Sequence, residues 1–203
     1  MRALCYLAAG GLNLFWLWKG DELSTATQMM LPILSVILAG IGVLFRLHVL
    51  SGPERRSYRR RAMWVLLLYY LAILSVLLFF GGLFHLNRVW GGAVNLEPLA
   101  TIRRFMRHYR RTGSLSSLSN LLGNLIIMMP LGVLLPLMFR PLRRFWLALP
   151  LMALFAAAVE YLQWLTRTGV ADIDDSILNF AGAAAAYVVT RSIQLIIGMI
   201  KRR

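Results

Sequence analysis

One cysteine, Cys5, serves the whole chain of 203 residues, which excludes an internal disulfide and a cysteine-built zinc site. Histidine is nearly as rare. His48, His85 and His108 stand apart, and none belongs to a Ser/His/Asp set, so all three are read as non-catalytic. Acids are scarce too: 8 Asp and Glu stand against 22 Lys and Arg, for a net charge of +14. There is no fixed-period repeat and no low-complexity tract, so solenoids and repeat arrays are excluded. No stretch has the composition of a water-soluble domain.

Apolar residues are abundant. They make up 59% of the chain, and the mean hydropathy is +0.68. Soluble domains are usually about 45–50% apolar. A core of this size cannot hide that much apolar surface, so the chain is read as an integral membrane protein. The positive charge then belongs to arginines that flank spans and set their orientation, not to nucleic-acid binding.

A spanning helix needs about 20 mostly apolar residues. Five segments meet this: Met29–Leu50, Met63–Phe84, Leu121–Phe139, Phe145–Leu165 and Ile177–Ile200. A sixth, Ala3–Trp18, is short. Arg2 and the apolar run after it resemble a signal peptide. No A-x-A-like site follows, and Trp16, Trp18 and Lys19 end the run, so the segment is expected to be retained. The expected fold is an all-α transmembrane bundle of six spans, with five as the alternative. Residues 1–93 form an N-terminal part and residues 94–203 a second one.

With six spans, one side receives Arg2, the arginine-rich loop Pro53–Arg61, the loop Arg140–Arg144 and Lys201–Arg203. These hold twelve basic residues and one acid, Glu54. The positive-inside rule places this side, and both termini, in the cytoplasm. Seven of the eight acids then map to the outer half, a result not built into the assignment. The outer loop Asn87–Ser119 cuts the other way, with six arginines of its own. Within it, Ile102, Phe105, Met106 and Tyr109 recur at i, i+3, i+4 and i+7, while Arg103, Arg104, Arg107 and Arg110 fill the other faces. This is a basic amphipathic helix, suited to lie among lipid head groups. Arg103 and Arg107 are candidate contacts for lipid phosphate. The run GSLSSLSN after it is read as a loop that supplies N-caps.

Four of the eight acids fall in VEYLQWLTRTGVADIDDSILNF, residues 159–180. An ionisable group at mid-bilayer costs on the order of 3 kcal/mol, so such groups mark function by default. Glu160, Gln163 at i+3 and Arg167 at i+7 are expected on one helix face. Asp175, Asn179 at i+4 and Gly182 at i+7 share a face of the next helix. Asp172, Asp174 and Asp175 lie at the mouth. Asn120 and Asn124 stand at i and i+4 on the outer end of a third helix, which Pro130 should kink or unwind. The plain alternative is structural: a Glu160–Arg167 ion pair, with tight packing through Ala153, Ala157, Gly182 and Ala186. The convergence of so many polar groups on one end of neighbouring helices favours a pocket that opens outward.

Three blocks resemble the VanZ-like family, which is named for a protein of a glycopeptide (teicoplanin) resistance cluster. VNLEPL at Val94–Leu99 resembles its N-L-I-P-F block. NLIIMMPLGVLLP at Asn124–Pro136 resembles its N-x5-P-L-G block. EYLQWLTRTGVADIDDSILNFAG at Glu160–Gly182 resembles its E-x2-Q…R…D-x2-D-x3-N-x2-G block, the most specific of the three. The resemblance covers Val94 to Tyr187 and carries over Asn95, Asn124, Pro130, Gly132, Glu160, Gln163, Arg167, Asp172, Asp175, Asn179 and Gly182. Glu97 and Leu99 depart from the pattern and are not carried over. It implies a multi-pass protein of the bacterial inner membrane connected with the cell envelope, without defining a reaction.

Three functions fit these residues. The first is an enzyme acting on a phosphate- or sugar-bearing envelope lipid, with Glu160 as general acid or base and Arg167 on phosphate. Asp172, Asp175 and Asn179 would then be the oxygen ligands for any Mg²⁺ or Ca²⁺. The second is a non-catalytic binder of an envelope lipid or precursor, in which the same residues act as anchors. The third is a small proton-coupled transporter, against which the missing inverted repeat argues.

Overall fold

The computed structural model describes residues 2–23, 25–79 and 94–200. His85, the C-terminal end of the expected span Met63–Phe84, and Lys201–Arg203 lie outside the described residues. The chain divides into two compact units, Met1–Asn87 and Arg88–Arg203.

The described residues of the first unit form three helices, α1 (Arg2–Lys19), α2 (Thr25–Val49) and α3 (Gly52–Phe79). A 3₁₀ turn, Gly20–Glu22, joins α1 to α2, and these two helices pack along each other. Buried Gln28 closes the connection by donating to the carbonyls of Gly20 and Leu23, at 2.5 and 3.1 Å. Inside the unit, the Ser35 hydroxyl lies 2.7 Å from that of Tyr69, and Asn13 donates to Tyr69 at 2.5 Å. Asn13, Ser35 and Tyr69 are thus matched to each other, which avoids the penalty of leaving them unpaired.

Helix α3 corrects one expectation. The stretch Pro53–Arg61 is not a loop but the first turns of the helix. Gly52, at φ 55°, makes the turn that a side chain would strain. Proline is tolerated at a helix start, Glu54 suits the positive end of the helix dipole, and arginine is a good helix former.

The second unit holds β1 (Val94–Asn95), α4 (Ala100–Thr112), α5 (Leu115–Ile127), α6 (Met129–Met138), α7 (Phe145–Leu165), β2 (Ala171–Asp172) and α8 (Ile173–Ile200). Helix α8 is the hub, packed against α5, α6 and α7. The two-residue strands pair in parallel, Val94 with Ala171 and Asn95 with Asp172. The expected third span is broken at Met128 into α5 and α6. Pro130 has no N–H to give to the carbonyl four residues back, so the ladder stops there, as its position in the sequence predicts. The run GSLSSLSN is mostly helix rather than loop: Gly113, at φ 65°, ends α4, and α5 begins at Leu115.

Backbones approach closely at two glycines. A Cβ on Gly182 would lie 1.7 Å from the Leu125 carbonyl oxygen, and one on Gly132 would lie 2.1 Å from that of Ala183. Small residues of α8 therefore seat α5 and α6. On α7 the buried stripe is Ala148, Met152, Ala156, Val159 and Glu160. Ala153 and Ala157, expected on the packing face, are exposed; the true stripe runs one position earlier.

Among the described residues, five helical segments are long and apolar enough to cross a membrane: Met30–Val49, Gly52–Phe79, Leu121–Met138, Phe145–Leu165 and Ile173–Ile200. Among the described residues the fold is all-α apart from two short strands. Helix α1, the sixth candidate, has 18 residues and is not among these five. Large apolar side chains such as Leu154, Val188, Val189 and Ile193 are exposed, as lipid-facing positions require.

Candidate functional site

The polar residues of the second unit converge where α4 and α8 begin and α7 ends. Helix α4 starts with a difficulty. The residue before it, Leu99, has a left-handed backbone (φ 64°) and no side chain able to cap the free N–H groups of the first turn. Asp174 supplies the cap from the start of α8. One oxygen accepts from Leu99 N–H at 2.5 Å, and the other accepts from Thr101 N–H at 2.8 Å and Ile102 N–H at 3.0 Å. Asp174 has no exposed surface.

Asp172 forms the next layer. It accepts from Asn95 Nδ2, at 3.2 Å to each oxygen, from the Thr101 hydroxyl at 2.5 Å, and from Asp174 N–H at 2.9 Å. Asn95 Nδ2 also donates to Thr101 Oγ1 at 3.0 Å, and Asn95 Oδ1 accepts from Glu97 N–H at 3.2 Å. Asn95, Thr101, Asp172 and Asp174 are thus one closed network that ties β1 and α4 to α8.

Behind it lie the less committed groups. Buried Glu160, at the end of the α7 stripe, accepts from Asp172 N–H at 3.4 Å, a long hydrogen bond. It lies within electrostatic reach of Asp175 and Asp172. Asn124 of α5 donates to one Asp175 oxygen. Asn179, one turn further along α8, is 2% exposed, and its Oδ1 has no hydrogen-bond partner.

The sequence-predicted residues therefore divide. Asn95, Asn124, Glu160, Asp172, Asp175 and Asn179 come together. Gly182 lies beside them but serves packing, against the α5 backbone. Gln163 lies under the turn into β2, its side chain against Gly169. Arg167 does not share the Glu160 face: α7 ends at Leu165, and Arg167 is exposed, beyond the helix, at φ 56°. No Glu160–Arg167 ion pair forms; among the described residues the single ion pair is Lys19–Glu22. Also among the described residues, no group of three His, Cys, Asp or Glu side chains could hold a metal ion.

Arg103 and Arg107 lie on the exposed face of α4. With Glu97, Ala100, Met106 and Arg110 they line a groove of about 500 Å³. The apolar residues Ile102, Phe105, Met106 and Tyr109 are half-buried, as the amphipathic pattern predicts. Arg103 is two residues beyond Thr101, roughly 3 Å along the helix axis but about 200° around it, so buried Thr101 meets the acid network on one face of α4 while exposed Arg103 and Arg107 line the groove on another. Sequence reasoning missed Thr101 and the capping role of Asp174. The signal was available: a helix preceded by Pro98-Leu99 carries no cap of its own, so it needs one from elsewhere.

A family model described as VanZ/LLP1 matches residues 64–196, from within α3 to near the end of α8. No curated protein and no solved structure matches the chain.

Proposed function

The chain belongs to the VanZ/LLP1 family, and from that membership, its five apolar helices and the acid–amide cluster we propose a multi-pass protein of the bacterial cytoplasmic membrane that holds the head group of an envelope lipid or lipid-borne precursor. In this reading α1 is a sixth span, both termini are cytoplasmic, and the cluster opens at the outer rim. The observation that carries the proposal is the Asp174 cap. It anchors the arginine helix α4 directly beside the cluster. A lipid phosphate would lie along Arg103 and Arg107 on the exposed face of α4, and Glu160, Asp175, Asn124 and Asn179 would take a polar head-group moiety within the cluster.

Holding fits this arrangement better than turnover, because Asp172 and Asp174 already use their oxygens in internal hydrogen bonds. Retention of a wall precursor at the outer rim would also limit the access of a glycopeptide drug to it, a link to resistance consistent with the family. Mass spectrometry of the protein purified from bacterial membranes tests the reading. Expected is a co-purifying phosphate-bearing lipid, reduced several-fold by the double change Arg103→Gln and Arg107→Gln. Protein that carries no more lipid than an unrelated membrane protein of equal size would refute it. The weakly engaged Glu160 is the one feature that favours catalysis. Conversion of an envelope lipid by the native protein, abolished by Glu160→Gln, would establish that alternative.

A further inference from the structure

The chemistry left unspent in the cluster specifies part of its ligand. Glu160, Asp172, Asp174 and Asp175 gather four carboxylates, and none is ion-paired to a Lys or Arg among the described residues. Asp172 and Asp174 are filled by N–H and O–H donors. Asp175 has one oxygen engaged by Asn124, and Glu160 one engaged at 3.4 Å by Asp172 N–H. The second oxygen of each carboxyl remains. The independent observation is Asn179. It is almost fully buried on the same α8 face as Asp175, one turn away, and its Oδ1 has no donor. A buried acceptor left unpaired is costly, and so is a buried group of like charges without a counter-charge.

All three unspent atoms are acceptors: Asn179 Oδ1 and one oxygen each of Glu160 and Asp175. Their complement is a cationic group with several N–H donors. An ammonium carries three N–H bonds and no lone pair. A divalent metal fits less well: although four carboxylates gather here, among the described residues no three His, Cys, Asp or Glu side chains are placed so as to hold one ion. We propose that Glu160, Asp175 and Asn179 form a site for a primary ammonium group, carried by the head group of an aminophospholipid. This deepens the lipid-holding reading and rests on it for the carrier, though not for the ammonium.

The test uses the full chain in detergent, offered equimolar phosphatidylethanolamine, phosphatidylcholine and phosphatidylglycerol of one acyl composition, with bound lipid read by native mass spectrometry. Expected is a preference of about tenfold or more for phosphatidylethanolamine over both others, the size set by hydrogen bonds to a charged group. Glu160→Gln and Asn179→Leu should each remove that preference. Should either variant fail to fold, the native protein's discrimination between the primary amine and its trimethylated form still decides. Lipid bound without head-group preference overturns the ammonium site and leaves lipid holding intact. A parallel arm measures stabilisation by free ethanolamine. Stabilisation by ethanolamine that Glu160→Gln removes, with no lipid retained, upholds the ammonium site and overturns the lipid carrier. No response to any of these probes overturns both.

Discussion

Asp174 has no exposed surface, yet it touches no candidate ligand, because its oxygens are spent on the α4 backbone. Asp174→Ala should leave three N–H groups without their acceptor and cost about 2 kcal/mol or more. The expected result is a lower melting temperature in detergent and faster trypsin cleavage within Arg103–Arg111. Cleavage at the native rate would show that α4 is held by other means. At the glycines, sequence and structure give different weights. Gly182→Ala drives a methyl into the Leu125 carbonyl and should cost about 1–3 kcal/mol. Gly198→Ala meets nothing within 4 Å and should be neutral or stabilising by up to about 1 kcal/mol. Thermal unfolding of the two variants side by side checks the contrast. Residue types and spacing disclosed the cluster members Asn95, Asn124, Glu160, Asp172, Asp175 and Asn179. They did not disclose which carboxylates are structural, because that depends on where the N–H groups of a distant helix come to rest.

Helices reproduce the hydropathy pattern closely wherever apolar length alone decides, and less well where polar residues continue a helix. Helix α3 runs through its arginines, and α5 begins in a serine-rich stretch, because propensity and neighbouring turns outweigh a polar composition. Arg167 shows the converse. Its spacing from Glu160 satisfied the helical period, but α7 had already ended. Pro130 was readable, since the missing N–H is a property of the residue itself. Restoring that donor with Pro130→Ala should favour one continuous helix over α5 and α6 and draw Asn124 away from Asp175. The expected outcome is a lower melting temperature despite better helix propensity. A higher one would show that the break contributes nothing to packing. For α4, replacing Arg103, Arg104, Arg107 and Arg110 with glutamine should remove the salt-sensitive part of binding to vesicles rich in phosphatidylglycerol, at about 1 kcal/mol per arginine. Flotation at two ionic strengths measures it.

The two units together carry the asymmetry of charge that sets orientation. Twelve basic residues assigned to one side against eight on the other make a modest preference, and α4 is the reason it is modest. Orientation rests on loop counts rather than on side-chain contacts, so it calls for labelling. In a Cys5→Ala background, Thr168→Cys in spheroplasts should react with a membrane-impermeant maleimide, and Ser57→Cys only after permeabilisation. The reverse pattern would put the cluster in the cytoplasm. The Asp174 cap also has a temporal side. Synthesis delivers α4 before α8. Until that helix enters the bilayer, a nascent chain presents its arginines with no acceptor to seat them. The site is therefore completed only once α8 has been made, and a chain terminated ahead of Asp174 should insert its earlier helices yet leave a loose, protease-open arm.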